Sequence, residues 1–231
     1  MSRALAIGLG VAAGVGIALA LRGDGPAEAC DLLPVGRAGG LLYRSQGERS
    51  QAPVIVLHGR GGNAEAIAEA VPASELEAFG FYPQAQKALG ASGNNFAWTA
   101  ARFRDDDWAE RQAEAVSAIL PFVEWVKACM GAPVIAGHSQ GAHMAYAVAA
   151  KAPGLVRGAV GASGALTPVL SAPLKVPVVA IHGAADTIVP PDNARGMGAL
   201  GARFIELPGA GHSLDGELLR VFKHELDLVL V

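Results

Sequence analysis

Gly137-His138-Ser139-Gln140-Gly141 sets a serine between two glycines, after the apolar run 133–136 and before an alanine-rich stretch reaching Lys151. A strand that turns abruptly into a helix holds such a serine in a strained conformation with its hydroxyl exposed. The flanking glycines leave room for the backbone to close around it. The start of the following helix aims N–H groups and a positive dipole end at the same point, where charge develops on an attacked carbonyl oxygen. The chemistry on offer is nucleophilic acyl transfer. The bland alternative is a serine that only caps a helix.

A serine hydroxyl is a weak nucleophile until a base takes its proton. The six histidines are His58, His138, His143, His182, His212 and His224. His212 lies in the glycine-rich stretch Gly209-Ala210-Gly211-His212, after the last predicted strand, where a loop can bring an imidazole over the serine. His143 is one helical turn past Ser139, His138 is adjacent to it, and His224 falls inside the terminal helix. His58 and His182 each end a strand just before a glycine and read as structural hydrogen-bonding groups. His212 is therefore the expected base. Asp186 follows the strand 178–182 by a short turn and can accept the other imidazole N–H, fixing tautomer and orientation. Asp192 is the runner-up, but after Pro190-Pro191 it reads as a helix cap. A glycine-rich turn, His58-Gly59-Arg60-Gly61-Gly62, follows an early strand, and the backbone N–H groups of Arg60 and Gln140 are the expected oxyanion donors. The spacings of dinucleotide and nucleotide-phosphate loops are absent from it. The Arg60 side chain reads equally as a surface charge or a substrate contact.

These residues need elements to hold them. Short apolar runs at 41–43, 53–57, 79–82, 133–136, 156–162, 176–182 and 202–207 read as strands. Helices are predicted at 63–71 with Asn63 as cap, 108–129, 142–151, 192–200 and 214–230, the second with Ala109, Ala113, Val116, Leu120 and Val123 on its buried face. The alternation predicts an α/β fold, a doubly wound and mostly parallel sheet covered on both faces, without a large lid domain. Residues 84–107 read as a long polar loop in which Phe96, Trp98 and Phe103 are candidates for the wall of a substrate pocket, and Asp105-Asp106-Asp107 as a solvated turn.

The chain has 231 residues, 52% of them apolar and 17% charged, with a formal net charge of −3. That suits one catalytic domain with a substantial core, and offers no basic patch to nucleic acid. No spacing of His, Cys or carboxylates reads as a metal site. Ala4 to Leu21 is an unbroken apolar run between Arg3 and Arg22. It is long enough to span a bilayer, and Ala27-Glu28-Ala29 offers a small-residue cleavage pattern. Residues 1–22 are thus read as a signal peptide or membrane anchor, 23–36 as a linker, and 37–231 as the catalytic domain. The protein is expected to be exported, to the periplasm or medium, or tethered to a membrane through residues 4–21. A disulfide between the only two cysteines, Cys30 and Cys129, fits that route, although two inert thiols are the plainer reading.

Four motifs occur in order: HGRGG at 58–62, GHSQG at 137–141, HGAADTIVP at 182–190 and GAGH at 209–212. On these the chain resembles the α/β-hydrolase superfamily, and within it the phospholipase/carboxylesterase and dienelactone-hydrolase-like group. The resemblance implies hydrolysis of small carboxylic esters through an acyl-serine intermediate, with no cofactor. A thioesterase or lysophospholipase would use the same machinery, and a non-catalytic binding module on the same fold would lack a member of the triad. Arg60 and the apolar leader depart from the group's usual pattern.

Overall fold

The computed structural model describes residues 30, 32–91, 93–102 and 104–231. The leader 1–22, residues 23–29 and 31 of the linker 23–36, and Phe103 fall outside that set. Among the described residues no helix is long and apolar enough to cross a membrane. Cys30 and Cys129 are both disulfide-bonded, so the inert-thiol reading does not hold.

Eight strands form one sheet. In chain order they are β1 (Val35–Ala38), β2 (Leu41–Gln46), β3 (Ala52–Leu57), β4 (Ala78–Pro83), β7 (Val134–His138), β8 (Gly158–Ala162), β9 (Val178–Gly183) and β10 (Arg203–Leu207). Their spatial order is β1-β2-β4-β3-β7-β8-β9-β10. From β4 to β10 every pairing is parallel, and the two pairings at one edge, β1 with β2 and β2 with β4, are antiparallel. The expected α/β sheet is present. The helices are α1 (Ala64–Ala70), α2 (Trp108–Met130), α3 (Gln140–Lys151) and α4 (Gly216–Leu230).

The strands read as unbroken apolar runs because both faces are covered. Alternate side chains serve different layers. Ile55, Leu57, Ile135 and Ala180 join α2 and α3, through Val116, Ile119, Phe122 and Met144, in one core. Val54, Val56, Val134, Ala136 and Ile181 join α1 and α4, through Ile67, Leu218, Phe222 and Leu226, in the other. Burying a Val, Leu or Ile side chain stabilises by about 1.5–3 kcal/mol, so each central strand anchors two layers at once.

Four local readings change. β1, which starts at Val35, pairs with β2 through a two-residue turn in which Gly39 and Gly40 have φ of 50° and 80°, a conformation that only such residues adopt readily. The predicted loop 84–107 contains a small hairpin, β5 (Lys87–Ala88) with β6 (Phe96–Ala97). The predicted helix 192–200 is instead two 3₁₀ turns, Pro191–Asn193 and Arg195–Leu200, because Gly196 and Gly198 weaken an α-helix there and Gly201 ends it at φ 90°. The buried face of α2 is centred on Trp108, Gln112, Ala115, Val116, Ile119, Phe122, Val123 and Val126, with Ala109, Ala113 and Leu120 at its margin. Asn63 does cap α1, its side chain accepting the Ala66 N–H at 2.8 Å.

Candidate active site

β7 ends in His138, and α3 begins at Gln140, so the chain reverses character at one residue. Ser139 has φ 52° and ψ −118°, a strained backbone for any residue but glycine. Close packing of the turn explains the two glycines. A Cβ on Gly137 would collide with the Gly141 carbonyl group, and one on Gly141 with the Leu57 carbonyl oxygen. The Ser139 N–H donates to the Ala162 carbonyl at 2.8 Å, pinning the bend to the end of β8.

The Ser139 Oγ lies 2.9 Å from His212 Nε2, and His212 Nδ1 lies 2.8 Å from Asp186 Oδ2. Three side chains from separate loops at the carboxyl ends of parallel strands are thereby brought into one hydrogen-bonded line. Asp186 is buried and well supplied with donors. Its Oδ1 accepts the N–H groups of Ile188 and Val189 at 2.9 Å each, and its Oδ2 faces His182 Nε2 at 3.2 Å. His182 donates the same N–H to the Val189 carbonyl at 2.7 Å, closing the turn around the carboxylate. Gly183 is required between them: a Cβ there would strike the carbonyl oxygens of Ala210 and Gly211, which belong to the His212 loop. With four donor groups facing it, the carboxylate is fixed in place and lies where it can accept from His212 Nδ1, which turns Nε2 to the serine.

The loop after β3 approaches the same point. A Cβ on Gly59 would lie 3.3 Å from Ser139 Cβ and 3.1 Å from His138 Nδ1. Gly61, at φ 83°, donates its N–H to the Phe96 carbonyl at 2.8 Å, and Gly62 donates to Gly59 at 3.1 Å. Among the described residues the amides of Arg60 and Gln140 have no backbone acceptor. They are the two N–H groups that the sequence assigns to a developing oxyanion.

The side chains of those two residues do something else. Arg60 is exposed, and its Nη1 donates to the carbonyls of Thr99 and Ala100 at 3.0 and 2.9 Å, which ties the side chain to that segment. Gln140 accepts the Trp98 N–H at 2.8 Å and donates to Thr99 at 3.1 Å. The segment 96–101 is thus stitched to both amide-bearing turns. Trp98 is only 6% exposed, its indole N–H donates to the His58 carbonyl at 2.8 Å, and its ring stacks on His58 at 5.2 Å. That side chain braces the turn from behind. Phe96, in β6, is half-buried and lines a surface cavity of about 180 Å³ with Arg44, Asn63 and Gln84.

The remaining histidines are explained by burial. His58 accepts the Ala85 N–H at 3.2 Å, and desolvation pushes its pKa down to about 4. Burial likewise lowers His138 to about 4 and His143 to about 3. His143 sits edge-on to Trp108, and its carbonyl accepts from Gln112 at 3.0 Å. His224 is exposed on α4, and Asp192 pairs with Arg195 away from the serine. Sequence reasoning missed Ser163, whose hydroxyl donates to the His212 carbonyl at 3.1 Å, and the inward use of His138, whose Nε2 lies 2.8 Å from the same carbonyl. The signal for Ser163 was its place directly after an apolar strand, next to Gly164. Among the described residues no three His, Cys, Asp or Glu side chains converge as a metal site requires.

The phospholipase/carboxylesterase family model matches residues 43–230. No curated protein sequence matches the chain significantly. Among solved structures, esterase PE8 is similar at 21% identity and a TM-score of 0.71, with 82% of this chain and 99% of that one covered. Zea mays acyl-protein thioesterase 2 is similar at 19% identity and a TM-score of 0.63, covering 82% and 99%. A carboxylesterase from Mesorhizobium loti is similar at 18% identity and a TM-score of 0.66, covering 80% and 94%. At these identities the structures establish the shared α/β-hydrolase fold. The family model establishes more: the chain belongs to the phospholipase/carboxylesterase family and is a hydrolase.

Proposed function

We propose that this family member is a serine hydrolase that cleaves small carboxylic esters through an acyl-serine intermediate. The observation that carries the reading is the line of two short hydrogen bonds, 2.9 Å from Ser139 Oγ to His212 Nε2 and 2.8 Å from His212 Nδ1 to Asp186. His212 takes the Ser139 proton as Oγ attacks the ester carbonyl, and the carbonyl oxygen becomes an oxyanion facing the Arg60 and Gln140 N–H groups. The C–O bond to the alcohol then breaks, and His212 returns the proton to the departing alkoxide. Water deprotonated by His212 attacks the acyl-serine, and collapse of the second oxyanion releases the acid and restores the hydroxyl. Asp186 holds the ring and stabilises the imidazolium without itself taking the proton.

The test uses p-nitrophenyl esters of graded chain length and a fluorophosphonate probe on wild type and Ser139→Ala. Wild type should hydrolyse the esters and be labelled once, and the alanine variant should lose about 10⁴-fold or more in kcat and all labelling. Equal rates for the two proteins would refute the proposal. The same panel with an acyl thioester separates an esterase from a thioesterase by the ratio of kcat/KM.

We further propose that the protein works outside the reducing cytoplasm, exported or tethered by residues 4–21. The disulfide-bonded state of Cys30 and Cys129 supports this, since such bonds persist in oxidising compartments. Mass spectrometry of the protein from its native host distinguishes a cleaved leader from a retained anchor. Recovery of the full-length chain in the soluble cytoplasm would overturn both.

A further inference from the structure

We infer that the end of β8 acts as a bracket that sets the distance between the serine and its base, with Ser163 and His138 as positioning residues for His212. The inference rests on the serine-hydrolase reading above. Two consecutive residues of one strand end reach the backbones of the two reacting residues. The Ala162 carbonyl accepts the N–H of Ser139 at 2.8 Å, and the Ser163 hydroxyl donates to the carbonyl of His212 at 3.1 Å. That carbonyl takes a second hydrogen bond, from His138 Nε2 at 2.8 Å. His138 is itself wedged, its Nδ1 edge facing Gly59 of the loop that carries the Arg60 amide.

The local backbone supports the assignment. Ser163 is fully buried at φ 54°, one of three non-glycine residues with positive φ among those described, and another of the three is Ser139. Its own N–H donates to the Ile181 carbonyl at 2.9 Å, which holds the strained turn in place. Strain of this kind persists only where surrounding contacts over-determine it, and here they aim one hydroxyl at one carbonyl. The need is plain from the sequence before His212, Gly209-Ala210-Gly211, whose glycines leave the backbone free to turn after its last tie, the Ala185 N–H on the Ala210 carbonyl at 2.9 Å. The Asp186 hydrogen bond orients the ring, but it does not fix the backbone from which the ring hangs. Two donors on the His212 carbonyl do, and they are carried by the strands next to the serine. Displacing a reacting group by about 1 Å commonly costs on the order of 100-fold in rate.

The experiment compares Ser163→Ala, His138→Leu, His138→Gln and the Ser163→Ala/His138→Leu double variant. Activity is normalised to sites titrated by the fluorophosphonate, so that misfolded protein does not count. Each single loss of a donor should lower kcat and the rate of fluorophosphonate inactivation about tenfold with KM little changed. Glutamine at 138 keeps an amide donor at similar reach and should recover most of that loss. The double variant should fall further than the product of the two single effects, on the order of 1000-fold, because either donor alone still holds the loop. Single variants within about twofold of wild type, a glutamine variant no better than the leucine one, or a loss that appears in KM alone would each overturn the inference. If Ser139→Ala is inactive while these variants are unimpaired, only the bracket fails. If Ser139→Ala keeps full activity, the serine-hydrolase reading fails first.

Discussion

Acid should unfold this protein well before its carboxylates titrate, because three histidines are buried neutral around the site. His58 and His138 are lowered to about 4 and His143 to about 3, each chiefly by desolvation, against an ordinary value of 6.5. Above pH 6.5 all three are neutral in the folded and unfolded chain alike, and they leave stability unchanged with pH. Below it the unfolded chain takes up three protons that the folded chain refuses, so stability falls as pH falls. Each such proton is worth about 1.4 kcal/mol per pH unit, which gives a slope of about 4 kcal/mol per unit near pH 5. By pH 4 each group has cost about 3 kcal/mol, and the three together about 10 kcal/mol, comparable with the 5–15 kcal/mol that holds a typical domain. Urea denaturation at intervals from pH 8 to 4.5 measures the curve, which should be flat to about pH 6.5 and then descend steeply. His143→Leu removes one of the protons and should reduce the slope by about a third, whatever its effect at pH 8. Stability that stays level down to pH 4.5, or an unchanged slope in His143→Leu, would refute the reasoning.

Two further outcomes bear on the site. Asp186→Asn keeps the shape of the turn but offers an amide where His212 needs an acceptor. It should lower kcat by about 10⁴-fold with little change in melting temperature, as ester hydrolysis and a thermal melt on one preparation will show. Gly141→Ala forces a methyl group onto the Leu57 carbonyl. It should destabilise the domain by about 2–4 kcal/mol in chemical denaturation and abolish fluorophosphonate labelling, whereas alanine at Gly154, where the space is open, should leave both as they are.

The triad positions were legible because each is marked by a local peculiarity that survives in one dimension. Ser139 has glycines that the bend demands, Asp186 follows an apolar strand by a turn of small residues, and His212 sits in a stretch too glycine-rich for a helix. The parallel sheet was legible for a similar reason: runs such as 53–57 lack the alternation that a half-exposed strand would show. What escaped depends on contacts made across the sheet. The place of Ser163 after an apolar strand and beside Gly164 marks a turn, but it does not name the carbonyl 49 residues away that its hydroxyl meets. The face of α2 was legible only in part: Val116 and Val123 are buried as expected, but Gln112 buries a polar side chain that a hydropathy pattern assigns to solvent. The hairpin of β5 and β6 is only two residues on each strand, and its anchor is the Gly62–Phe96 bridge rather than any propensity of its own.

Arg60 and Gln140 show how two separate turns of the site are tied together. Each is assigned one backbone N–H toward the oxyanion, and each spends its side chain on the carbonyls of the same short segment, Thr99 being shared by both. A donor pair helps a transition state only if the two N–H groups stay fixed relative to each other while charge builds. They come from different parts of the chain, the loop after β3 and the first turn of α3, so no single element enforces that spacing. The segment 96–101 does so by bridging them: Trp98 donates from its backbone to the Gln140 side chain and from its indole to the His58 carbonyl. Trp98, which the sequence suggests as part of a pocket wall, is buried and ties the Gln140 side chain to the His58 carbonyl. An arginine is suited to position 60 because a long side chain with several donors can reach two successive carbonyls 39 and 40 residues further along.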